Sequence, residues 1–587
     1  MILVFGGTTE GRKAAEVLDE AGSPYYYSTK TGEQDIVLKH GVRIDGALDD
    51  KAITAFCREH DIRLIVDAAH PFAVALHQNI NHAAAKSGIE VIRYERLYPP
   101  YDPTLTWIND YADVPRDIRS LLATTGVQSI SKLKPLEAQG MRITYRILPR
   151  ESSILLAKQQ GATDDQLCYY QDGETIDVDA DAILLKESGE SGGFSQKVAA
   201  AKARGLRIIV LKRPELSFDY TVNGPYGLRK MVERLLATFF PLHSGLTTGT
   251  CATAAAVAEA LRMLKNEMPQ KVPVVLPDDE TILVPVGYGE GYAYCVKEAG
   301  DDPDVTNGLQ IRVALKPTLP FSKPRRFIFQ AGEGVGTFTL PGFDYPPGSP
   351  AINKGPREMI ERNLQAILPP SSTLVLSLKV TISVPGGTEI AKKTFNPRLG
   401  IQGGISIIGV SGIVKPFSEE AFIDSIRKCM QVAKASGTER VVINSGGKSE
   451  RYVKALYPAL PQQAFVEYGN YIGETLKIAH DMGIKNVTLG VMLGKAVKLA
   501  EGHLDTHSRR ATMNKDFIRQ MLEEADCRVD TEHITLAREL WEMIPKEKLE
   551  GFCRVVLAHC RRNCQPLVPN AEITLLLIAD DGTIHSL

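Results

Sequence analysis

The stretch LHSGLTTGTCATAAAVAEA, residues Leu242–Ala260, separates two different patterns of secondary structure. A hinge, His243-Ser244-Gly245, leads into Thr247-Thr248-Gly249-Thr250 and then into an alanine-rich helix. The unpaired N–H groups and positive dipole end of such a helix start favour an anion. Threonine is also a common helix cap without any ligand. We expect Thr247, Thr248 and Thr250 either to meet an anionic substrate group or to act only as a cap.

The composition describes a chain of several domains without a global preference for charged partners. The 587 residues exceed what one hydrophobic core organises, and the net charge of −2 excludes general attraction to nucleic acid or anionic membranes. Nine cysteines without metal-like spacing indicate reduced thiols in a cytoplasm. No apolar run is long enough to cross a bilayer, and a strand at the N-terminus leaves no room for a signal peptide.

A glycine turn follows the first apolar run, Met1–Phe5, and precedes a helix. Strand, glycine turn and helix form the geometry that holds a diphosphate at a helix N-terminus, although a tight turn without a ligand is the alternative. The next strand ends in hydroxyls and a lysine, which suit a 2′-phosphate better than a ribose diol and favour NADPH over NADH. The predicted cofactor-binding residues are Gly6, Gly7, Thr8, Thr9, Gly11, Arg12, Ser28, Thr29 and Lys30.

The buried strand Leu64–Ala69 runs into His70-Pro71-Phe72. Ligands lie at the carboxyl ends of strands in open α/β sheets, so Asp67 and Phe72 are candidate substrate contacts. His70 is a candidate catalytic residue, with a hydrogen-bonded turn histidine as the alternative.

A second α/β lobe begins near Pro103 and contains the loop Lys186–Phe194. A Gly/Ser-rich loop flanked by cations is typical of a cradle for carboxylates or phosphates, and a mobile surface loop is the alternative. Lys186, Ser188, Gly189 and Arg213 are the predicted contacts.

Extended segments and an acidic turn, Gly300–Gly308, follow the alanine-rich helix. This pattern predicts an α+β domain. Pro303 breaks the calcium-loop pattern, so we interpret Asp304 as a ligand-facing or capping residue rather than a metal ligand. Lys354 and Arg357 stand at the start of a further helix, and Ile405–Val410 is a predicted strand.

Three later strands each end in glycine and each precede a helix, as a parallel sheet with a nucleotide-like ligand along one edge requires. Crossover connections also use glycine without any ligand. Glu467 or Glu474 could accept hydrogen bonds from a ribose diol. The predicted cofactor contacts are Gly446, Gly447, Gly469, Asn470, Glu474 and Gly494.

The segment His503-Leu504-Asp505-Thr506-His507 places polar groups on alternate residues. His-x-Asp-x-His has no standard ligand geometry, so a metal site is disfavoured. We predict that Asp505 and His507 handle protons or contact the substrate.

Residues 1 to about 240 resemble the precorrin-6A reductase family, through FGGTTEGR (Phe5–Arg12), DAAHPFA (Asp67–Ala73), KESGESGG (Lys186–Gly193) and LKRP (Leu211–Pro214). The family commonly has Thr where this chain has Ala68. The resemblance implies two Rossmann-like lobes that bind a nicotinamide coenzyme and deliver a hydride to the precorrin-6A ring. Hydride transfer then depends more on positioning than on acid–base chemistry.

Residues 243–587 resemble the cobalt-precorrin-5B C1-methyltransferase family. The motifs are GLTTGTCATAAA (Gly245–Ala256), GDDPDVTNG (Gly300–Gly308), Ser383–Pro416 and GKAVKLAEGHLDTHS (Gly494–Ser508). The resemblance implies S-adenosylmethionine as methyl donor and a corrinoid as acceptor, with cobalt present only as part of the substrate. The sulfonium is already activated, so Cys251 is interpreted as a buried residue rather than a nucleophile.

We therefore predict a multidomain α/β enzyme of anaerobic cobalamin biosynthesis that carries both activities. Its expected parts are two Rossmann-like lobes (1–100 and 101–241), an α+β domain (243–400) and a parallel α/β lobe (401–587). Lys186, Arg213, Lys354, Arg357 and Arg398 are expected to grip ring carboxylates. The alternatives are a non-catalytic corrinoid-binding protein and an unrelated NADPH oxidoreductase with an assembly domain. The sequence leaves open a homo-oligomer.

Overall fold

Parallel sheets in the N-terminal region and several further sheets after residue 243 give the chain a mixed α/β fold. The structure is a computed structural model that describes residues 1–32, 34–169, 178–318, 327–368, 377–508 and 510–587. Two compact units are present: Met1–His243 with Val275–Ile282, and Ser244–Val274 with Leu283–Leu587. Throughout these described ranges, no helix has both the length and the apolar character that crossing a bilayer requires.

The strands up to residue 243 are β1 (Ile2–Phe5), β2 (Tyr25–Thr29), β3 (Gly41–Asp45), β4 (Leu64–Asp67), β5 (Glu90–Tyr94), β6 (Thr106–Ile108), β7 (Ser120–Ala123), β8 (Arg142–Ile147), β9 (Leu167–Tyr169), β10 (Ala182–Lys186), β11 (Arg207–Leu211) and β12 (Tyr220–Val222). The helices are α1 (Thr9–Asp19), α2 (Asp50–Glu59), α3 (Val74–Ser87), α4 (Ile130–Glu137), α5 (Glu151–Gln159), α6 (Phe194–Ala203) and α7 (Pro225–Leu235).

The first sheet has the order β3-β2-β1-β4-β5-β12, with every pair of neighbours parallel. Its central strands β1 and β4 are short, fully buried runs because both faces are covered. Helices α1 and α7 contribute to the core on one face, and α2 and α3 contribute to the core on the other. The strand order reverses between β1 and β4, which opens a crevice at their carboxyl ends.

The second sheet is also parallel and has the order β9-β8-β7-β10-β11-β6. Its order reverses between β7 and β10. The chain then returns to the first sheet, because β12 pairs with β5 and α7 packs on the first sheet's core. Both elements fall inside the range 101–241 that was predicted to be the second lobe, so the two ranges do not each hold a whole sheet.

The later strands are β13 (Gly245–Leu246), β14 (Lys271–Val275), β15 (Thr281–Pro285), β16 (Gly287–Gly289), β17 (Tyr292–Val296), β18 (Gln310–Thr318), β19 (Phe327–Ala331), β20 (Thr337–Phe338), β21 (Ser377–Ser383), β22 (Ile401–Gln402), β23 (Ile413–Val414), β24 (Arg440–Asn444), β25 (Phe465–Glu467), β26 (Asn486–Met492), β27 (Glu572–Ile578) and β28 (Ile584–Ser586). The helices are α8 (Thr248–Lys265), α9 (Lys354–Ile367), α10 (Gly387–Ala391), α11 (Glu419–Ala435), α12 (Gly447–Leu456), α13 (Ile472–Asp481), α14 (Leu493–Glu501), α15 (Lys515–Glu524), α16 (Leu540–Met543) and α17 (Lys546–Cys564).

Helix α8 is the alanine-rich helix of the sequence, and every residue from Thr248 to Ala260 is buried. Its small side chains let α9 and strands β17 and β18 approach closely. These two strands belong to a mixed sheet of order β16-β17-β18-β21-β19. The predicted strand Ile405–Val410 is wrong: Ile405 and Ile407 form only isolated bridges, and the segment then bends at Gly409.

The last sheet has the order β25-β24-β26-β27-β28 and is parallel except for β28. Apolar residues of α14 and α17 pack on one face and Val453 of α12 packs on the other. The strand order reverses between β24 and β26, so the three predicted glycine turns follow strands at the crevice that this reversal creates.

Candidate active sites

In the first unit, the loops after β1, β4 and β10 lie together between the two sheets. The Thr8 hydroxyl donates to the Ala68 carbonyl over 2.7 Å, which joins the loop after β1 to the loop after β4. The Nζ atom of Lys186, at the end of β10, lies 5.0 Å from the centre of the Phe72 ring. Residues predicted from three distant motifs therefore meet in one cleft.

The glycine turn after β1 has the compact geometry of a diphosphate-binding turn. Gly7 has φ +83°, and a Cβ atom on Gly11 would lie only 2.7 Å from the Cα of Gly6, so the helix packs tightly against the turn. The Thr8 side chain caps α1 by accepting from the Gly11 N–H over 3.0 Å. Gln34 covers the turn, since it accepts from the Gly7 N–H over 3.0 Å and donates to the Thr8 carbonyl over 2.9 Å.

The end of β2 is more enclosed than predicted. Ser28 and Thr29 are buried, and the Thr29 hydroxyl donates to Oδ1 of Asp45 over 2.6 Å. This hydrogen bond and the bond from Arg43 hold the pKa of Asp45 below its usual value. Lys30 is exposed. The carboxylate of Asp45, which belongs to β3, therefore lies beside the end of β2. The sequence of β2 alone did not reveal this neighbour.

The first turn of α1 carries Thr9, Glu10 and Arg12. Glu10 is buried and accepts from Nε of Arg96 over 3.0 Å and from the Ser191 hydroxyl. Arg96 also donates to the Ser188 carbonyl over 2.7 Å. Sequence reasoning missed this ion pair, and a glutamate in the first turn after a glycine motif was the available signal. It clamps the glycine turn to the loop after β10.

Asp67 does not face the cleft, which corrects its predicted substrate contact. Its side chain is fully buried and accepts from Arg93 over 3.1 Å, and it lies 2.6 Å from Nδ1 of His77. Nε2 of His77 lies 3.0 Å from the His70 carbonyl oxygen. Asp67, Arg93 and His77 therefore fix the backbone that presents His70.

His70 is a neutral, oriented histidine. Its Nδ1 atom accepts from the Phe72 N–H over 3.2 Å, which places the ring proton on Nε2. Burial, followed by the charges of Arg96 and Lys186, lowers the pKa of His70 to about 3. The imidazolium form is absent at neutral pH, so His70 can offer a hydrogen bond but not an acidic proton.

Lys186 is half-buried at the cleft. Burial, and then the neighbouring charge of Lys132, lowers the pKa of Lys186 to about 8. Its ammonium faces the Phe72 ring, a weakly attractive contact. The side chain can therefore change its charge near neutral pH.

The remaining predicted residues of this loop hold its shape. The Ser188 hydroxyl donates to the Gly192 carbonyl over 3.3 Å, and Gly189 has φ +70°. Arg213 pairs with Glu187 and stacks 3.7 Å from the centre of the Tyr98 ring. The cation of Arg213 lies beside the cleft with a carboxylate already bound.

In the second unit, the start of α8 is closed by the protein itself. Three of its first four N–H groups have backbone or side-chain acceptors: Gly249 donates to Ile408 over 2.9 Å, Thr250 to the Thr247 hydroxyl over 3.1 Å, and Cys251 to the Thr247 carbonyl over 3.1 Å. The predicted anion contact at this helix start is therefore corrected, and Thr247 is the cap.

The hydroxyls next to this cap hold the loop 405–412. Thr248 accepts from the Ile408 N–H over 2.9 Å, and Thr250 donates to the Gly412 carbonyl over 2.6 Å. Both threonines are buried. Their predicted substrate contact is replaced by a structural one, because the loop uses the same donors and acceptors that an anion would need.

Asp304 is also engaged within the fold. Its Oδ2 atom lies 2.7 Å from Nζ of Lys297, which is 1% exposed, and its Oδ1 atom accepts from the N–H and hydroxyl of Thr306. Burial alone would raise the pKa of Asp304, but Lys297 and Thr306 outweigh burial and lower it. The predicted ligand-facing aspartate is a structural ion-pair residue, and the capping alternative describes it.

The two cations at the start of α9 differ. Lys354 is exposed and lies 3.7 Å from Glu358. Arg357 donates to the Ile352 carbonyl over 2.9 Å and stacks 3.6 Å from the centre of the Tyr345 ring. Only Lys354 presents its charge fully to solvent.

At the crevice of the last sheet, Arg398 bridges two carboxylates. It lies 2.7 Å from Oε2 of Glu450 and 3.3 Å from Oε2 of Glu467. Gly446 has φ +82°, and a Cβ atom there would lie 2.3 Å from Glu467. Burial raises the pKa of Glu467, while Arg398 opposes that rise. Sequence reasoning missed Glu450 because its partner lies 52 residues away.

The neighbouring turns meet at Lys495. Its Nζ atom donates to Oδ1 of Asn470 over 2.8 Å and to the Gly469 carbonyl. Burial lowers the pKa of Lys495 to about 8. Gly494 is exposed beside it, whereas Glu474 pairs with Lys477 on the surface of α13. The loops and helix starts that follow adjacent strands thus carry Gly446, Gly447, Gly469, Asn470 and Gly494.

Asp505 and His507 lie beside the same crevice. The Thr506 N–H donates to the Asn470 carbonyl over 3.0 Å, which brings the two loops together. Asp505 accepts from the His507 N–H over 3.0 Å and from Arg510 over 2.8 Å. The Asp505 carboxylate is therefore already used to shape its own turn.

Two family profiles match different parts of the chain. Residues 1–234 match precorrin-6x reductase CbiJ/CobK, and residues 237–416 match CbiD. A cobalt-precorrin-5B C(1)-methyltransferase of Prosthecochloris aestuarii is 43% identical over 356 residues, which cover 58% of this chain and 95% of that protein. A protein of the same name from Brucella canis is 44% identical over 309 residues, which cover 52% and 83% respectively.

Solved structures are similar to each part. A cobalamin biosynthesis protein (cbiD) from Archaeoglobus fulgidus is 30% identical with a TM-score of 0.26, over 46% of this chain and 83% of that one. A CobK precorrin-6A reductase is 20% identical with a TM-score of 0.33, over 40% of this chain and 96% of that one.

Proposed function

Because this chain joins a member of the precorrin-6x reductase family to a member of the cobalt-precorrin-5B C(1)-methyltransferase family, we propose that it performs both reactions on one corrin ring. It transfers a methyl group from S-adenosylmethionine to C1 of cobalt-precorrin-5B and reduces cobalt-precorrin-6A to cobalt-precorrin-6B with a nicotinamide coenzyme. The first product is the second substrate. The observation that carries this proposal is the match of two families to separate, consecutive parts of one chain.

In the reductase, we propose two Rossmann-like lobes, with β12 and α7 completing the first. The coenzyme supplies the hydride when bound. The turn Gly6-Gly7-Thr8 and the start of α1 fit its diphosphate, because nothing lies within 4 Å of where a Cβ atom on Gly7 would be. Gln34 would have to release the Gly7 N–H. We propose NADPH, with the exposed cations Arg12 and Lys30 toward its 2′-phosphate, because the carboxylate of Asp45 is already bound by Thr29 and Arg43.

The protein's own part in the reduction is positioning. Phe72 offers a flat apolar surface in the cleft, and the neutral His70 offers an N–H group. Lys186 and Arg213 supply positive charge for ring carboxylates. The ion pair between Glu10 and Arg96 holds the glycine turn after β1 at a fixed distance from the loop after β10. Hydride transfer needs such a fixed distance between coenzyme and substrate.

In the methyltransferase, we propose that S-adenosylmethionine lies along the carboxyl ends of β24, β25 and β26. Gly446, Gly447, Gly469, Asn470 and Gly494 form the edge of this site. The left-handed turn at Gly446 fits such a ligand because a glycine there lets the Glu467 carboxylate lie directly against the turn. Glu467 or Glu474 accepts from the ribose diol. Methyl transfer is an in-line displacement, for which the protein supplies alignment and exclusion of water.

For the corrinoid of the methyltransferase, we propose contacts from Arg398, Lys354 and Arg357 to ring carboxylates. Arg398 and Arg357 are engaged in the protein, so a carboxylate would share their remaining N–H groups. Asp505 and His507 are proposed to handle protons. We also propose a cytoplasmic location, in keeping with nine cysteines that all remain free.

The function is tested by incubating the purified full chain with cobalt-precorrin-5B, S-adenosylmethionine and NADPH and following the corrinoid by mass spectrometry. The expected gain is one methyl group, followed by two hydrogens. Omission of S-adenosylmethionine should stop both changes, and omission of NADPH only the second. Binding of the corrinoid without either change would support a non-catalytic binding protein, and coenzyme oxidation without binding of S-adenosylmethionine would support an unrelated oxidoreductase.

A further inference from the structure

We propose that Lys186 is the proton donor that completes reduction of the corrin ring. This inference rests on the reductase activity proposed above and names the side chain that finishes it. The reaction adds a hydride to one carbon of a ring double bond and a proton to the atom that receives the displaced electron pair. The ring gains two electrons, the coenzyme loses them, and the Lys186 ammonium becomes an amine that solvent protonates again.

The position of Lys186 suits this task. It ends β10, where the second sheet reverses its strand order, and its Nζ atom faces the Phe72 ring from the first sheet. The glycine turn is joined to the loop that carries Phe72, because the Thr8 hydroxyl donates to the Ala68 carbonyl, four residues before Phe72. A flat ring seated on Phe72 would therefore lie near both the glycine turn and Lys186.

The carboxyl groups around the cleft are committed to other partners. Glu10 bonds to Arg96, and Asp67 is fully buried. Glu187 pairs with Arg213. Each of these three carboxylates is thus paired with an arginine of the protein itself.

His70 and Tyr98 are poor proton donors at this cleft. His70 already has a neutral ring, because its pKa is lowered to about 3. Burial raises the pKa of Tyr98, so its hydroxyl does not release a proton at neutral pH. Lys132 is exposed and acts on Lys186 only through its charge. Lys186 faces the Phe72 ring in the cleft, holds a proton at neutral pH and releases it readily, since its pKa is lowered to about 8.

The test compares Lys186→Arg, which keeps the charge but cannot release the proton, with Lys186→Met and the control Lys132→Arg. Single-turnover reduction of cobalt-precorrin-6A by the full chain is followed between pH 6 and about 9.5 in water and in deuterium oxide, at saturating corrinoid and NADPH. Corrinoid and NADPH affinities are measured separately by titration. Circular dichroism checks that each variant is folded.

Lys186→Arg is expected to bind both ligands about as well as the original protein and to reduce the ring roughly one hundredfold more slowly. The original rate should fall as the pH rises through about 8, and this inflection should vanish in the variant. Lys132→Arg should keep both the original reduction rate and its pH inflection. Lys186→Met should lose corrinoid affinity as well, since the cation is gone.

A readout independent of turnover is competitive labelling of the lysines with trace acetic anhydride. It should give Lys186 a pKa well below the usual lysine value of about 10.4. A Lys186→Arg rate within threefold of the original, or an unchanged pH inflection, would overturn the proton-donor role. Failure of the original protein to reduce the ring at all would instead overturn the proposed function.

Discussion

Arg96 Nε lies 3.0 Å from Oε2 of Glu10, and this buried ion pair joins the segment after β5 to the first turn of α1. The same arginine donates to the Ser188 carbonyl, so one side chain contacts both loops that the reductase cleft requires. The strength of this clamp can be measured because the chain has two tryptophans, Trp107 in the first unit and Trp541 in the second.

Arg96→Met should lower the free energy of unfolding of the first unit by about 3–5 kcal/mol, since it leaves the Glu10 carboxylate buried without a cation. Urea unfolding followed by Trp107 fluorescence in a Trp541→Phe background measures the loss. The double variant with Glu10→Met should recover much of it. Lys202→Met removes an exposed ion pair with Asp102 and should change little. If Arg96→Met and Lys202→Met lower the free energy of unfolding by the same amount, the ion pair does not act as a clamp.

His70 should make the first unit less stable as the medium becomes acidic. Its folded pKa is about 3, whereas histidine in an unfolded chain has a pKa of about 6.5. Between these values the unfolded chain binds more protons, so stability rises with pH and is complete above the unfolded value. The loss from pH 7 to pH 5 should be about 1–2 kcal/mol. In His70→Asn, whose Oδ1 can still accept from Phe72, this part of the pH slope should disappear; a slope identical to the original would contradict it.

Thr250→Val should impair methylation and spare hydride transfer. The substitution removes one of the two donors to the buried Gly412 carbonyl and leaves only the Thr247 N–H, at a cost of about 0.5–1.5 kcal/mol to the loop 405–412. Methylation at subsaturating corrinoid should fall about tenfold. Thr250→Ser keeps the hydroxyl and serves as the matched control. Parallel loss of both activities would show that the effect is global misfolding rather than a local change in the loop.

Arg398→Met should weaken S-adenosylmethionine binding at least about tenfold, a loss of about 1.4 kcal/mol. Without the arginine, the carboxylates of Glu450 and Glu467 face each other beside Gly446 and repel. Calorimetric titration measures the affinity, and NADPH binding should be unchanged. Lys392→Met, which removes an exposed pair with Glu389 in the same part of the chain, is the control. Unaltered affinity in Arg398→Met would place the methyl donor elsewhere.

Local patterns in the sequence were enough to predict the strand ends that form both clefts. An apolar run followed by glycine is a local signal, which is why the turns at Gly6 and Gly446 were found. The start of α8 shows the limit of such signals, because a threonine cap and an anion site use the same residues in the same order. Whether these threonines cap the helix or bind an anion depends on their contacts with Ile408 and Gly412, which lie about 160 residues away.

Local sequence patterns also could not predict the buried ion pairs. Glu10 and Arg96 are 86 residues apart, and Asp67 and Arg93 are 26 apart. Neither local pattern identifies the distant partner of the carboxylate. The burial of these pairs follows only from how the sheets pair, which a single sequence does not reveal.

The return of the chain to the first sheet has a consequence for synthesis on the ribosome. Strands β6 to β11 of the second sheet leave the ribosome before β12, so that sheet can close while the first still lacks its outer strand. Until Tyr220–Val222 emerge, the edge of β5 has no partner and the α7 side of the first core is uncovered. The lobe that is translated first is therefore completed last, and a nascent chain stopped near residue 210 would expose that edge to chaperones or to aggregation.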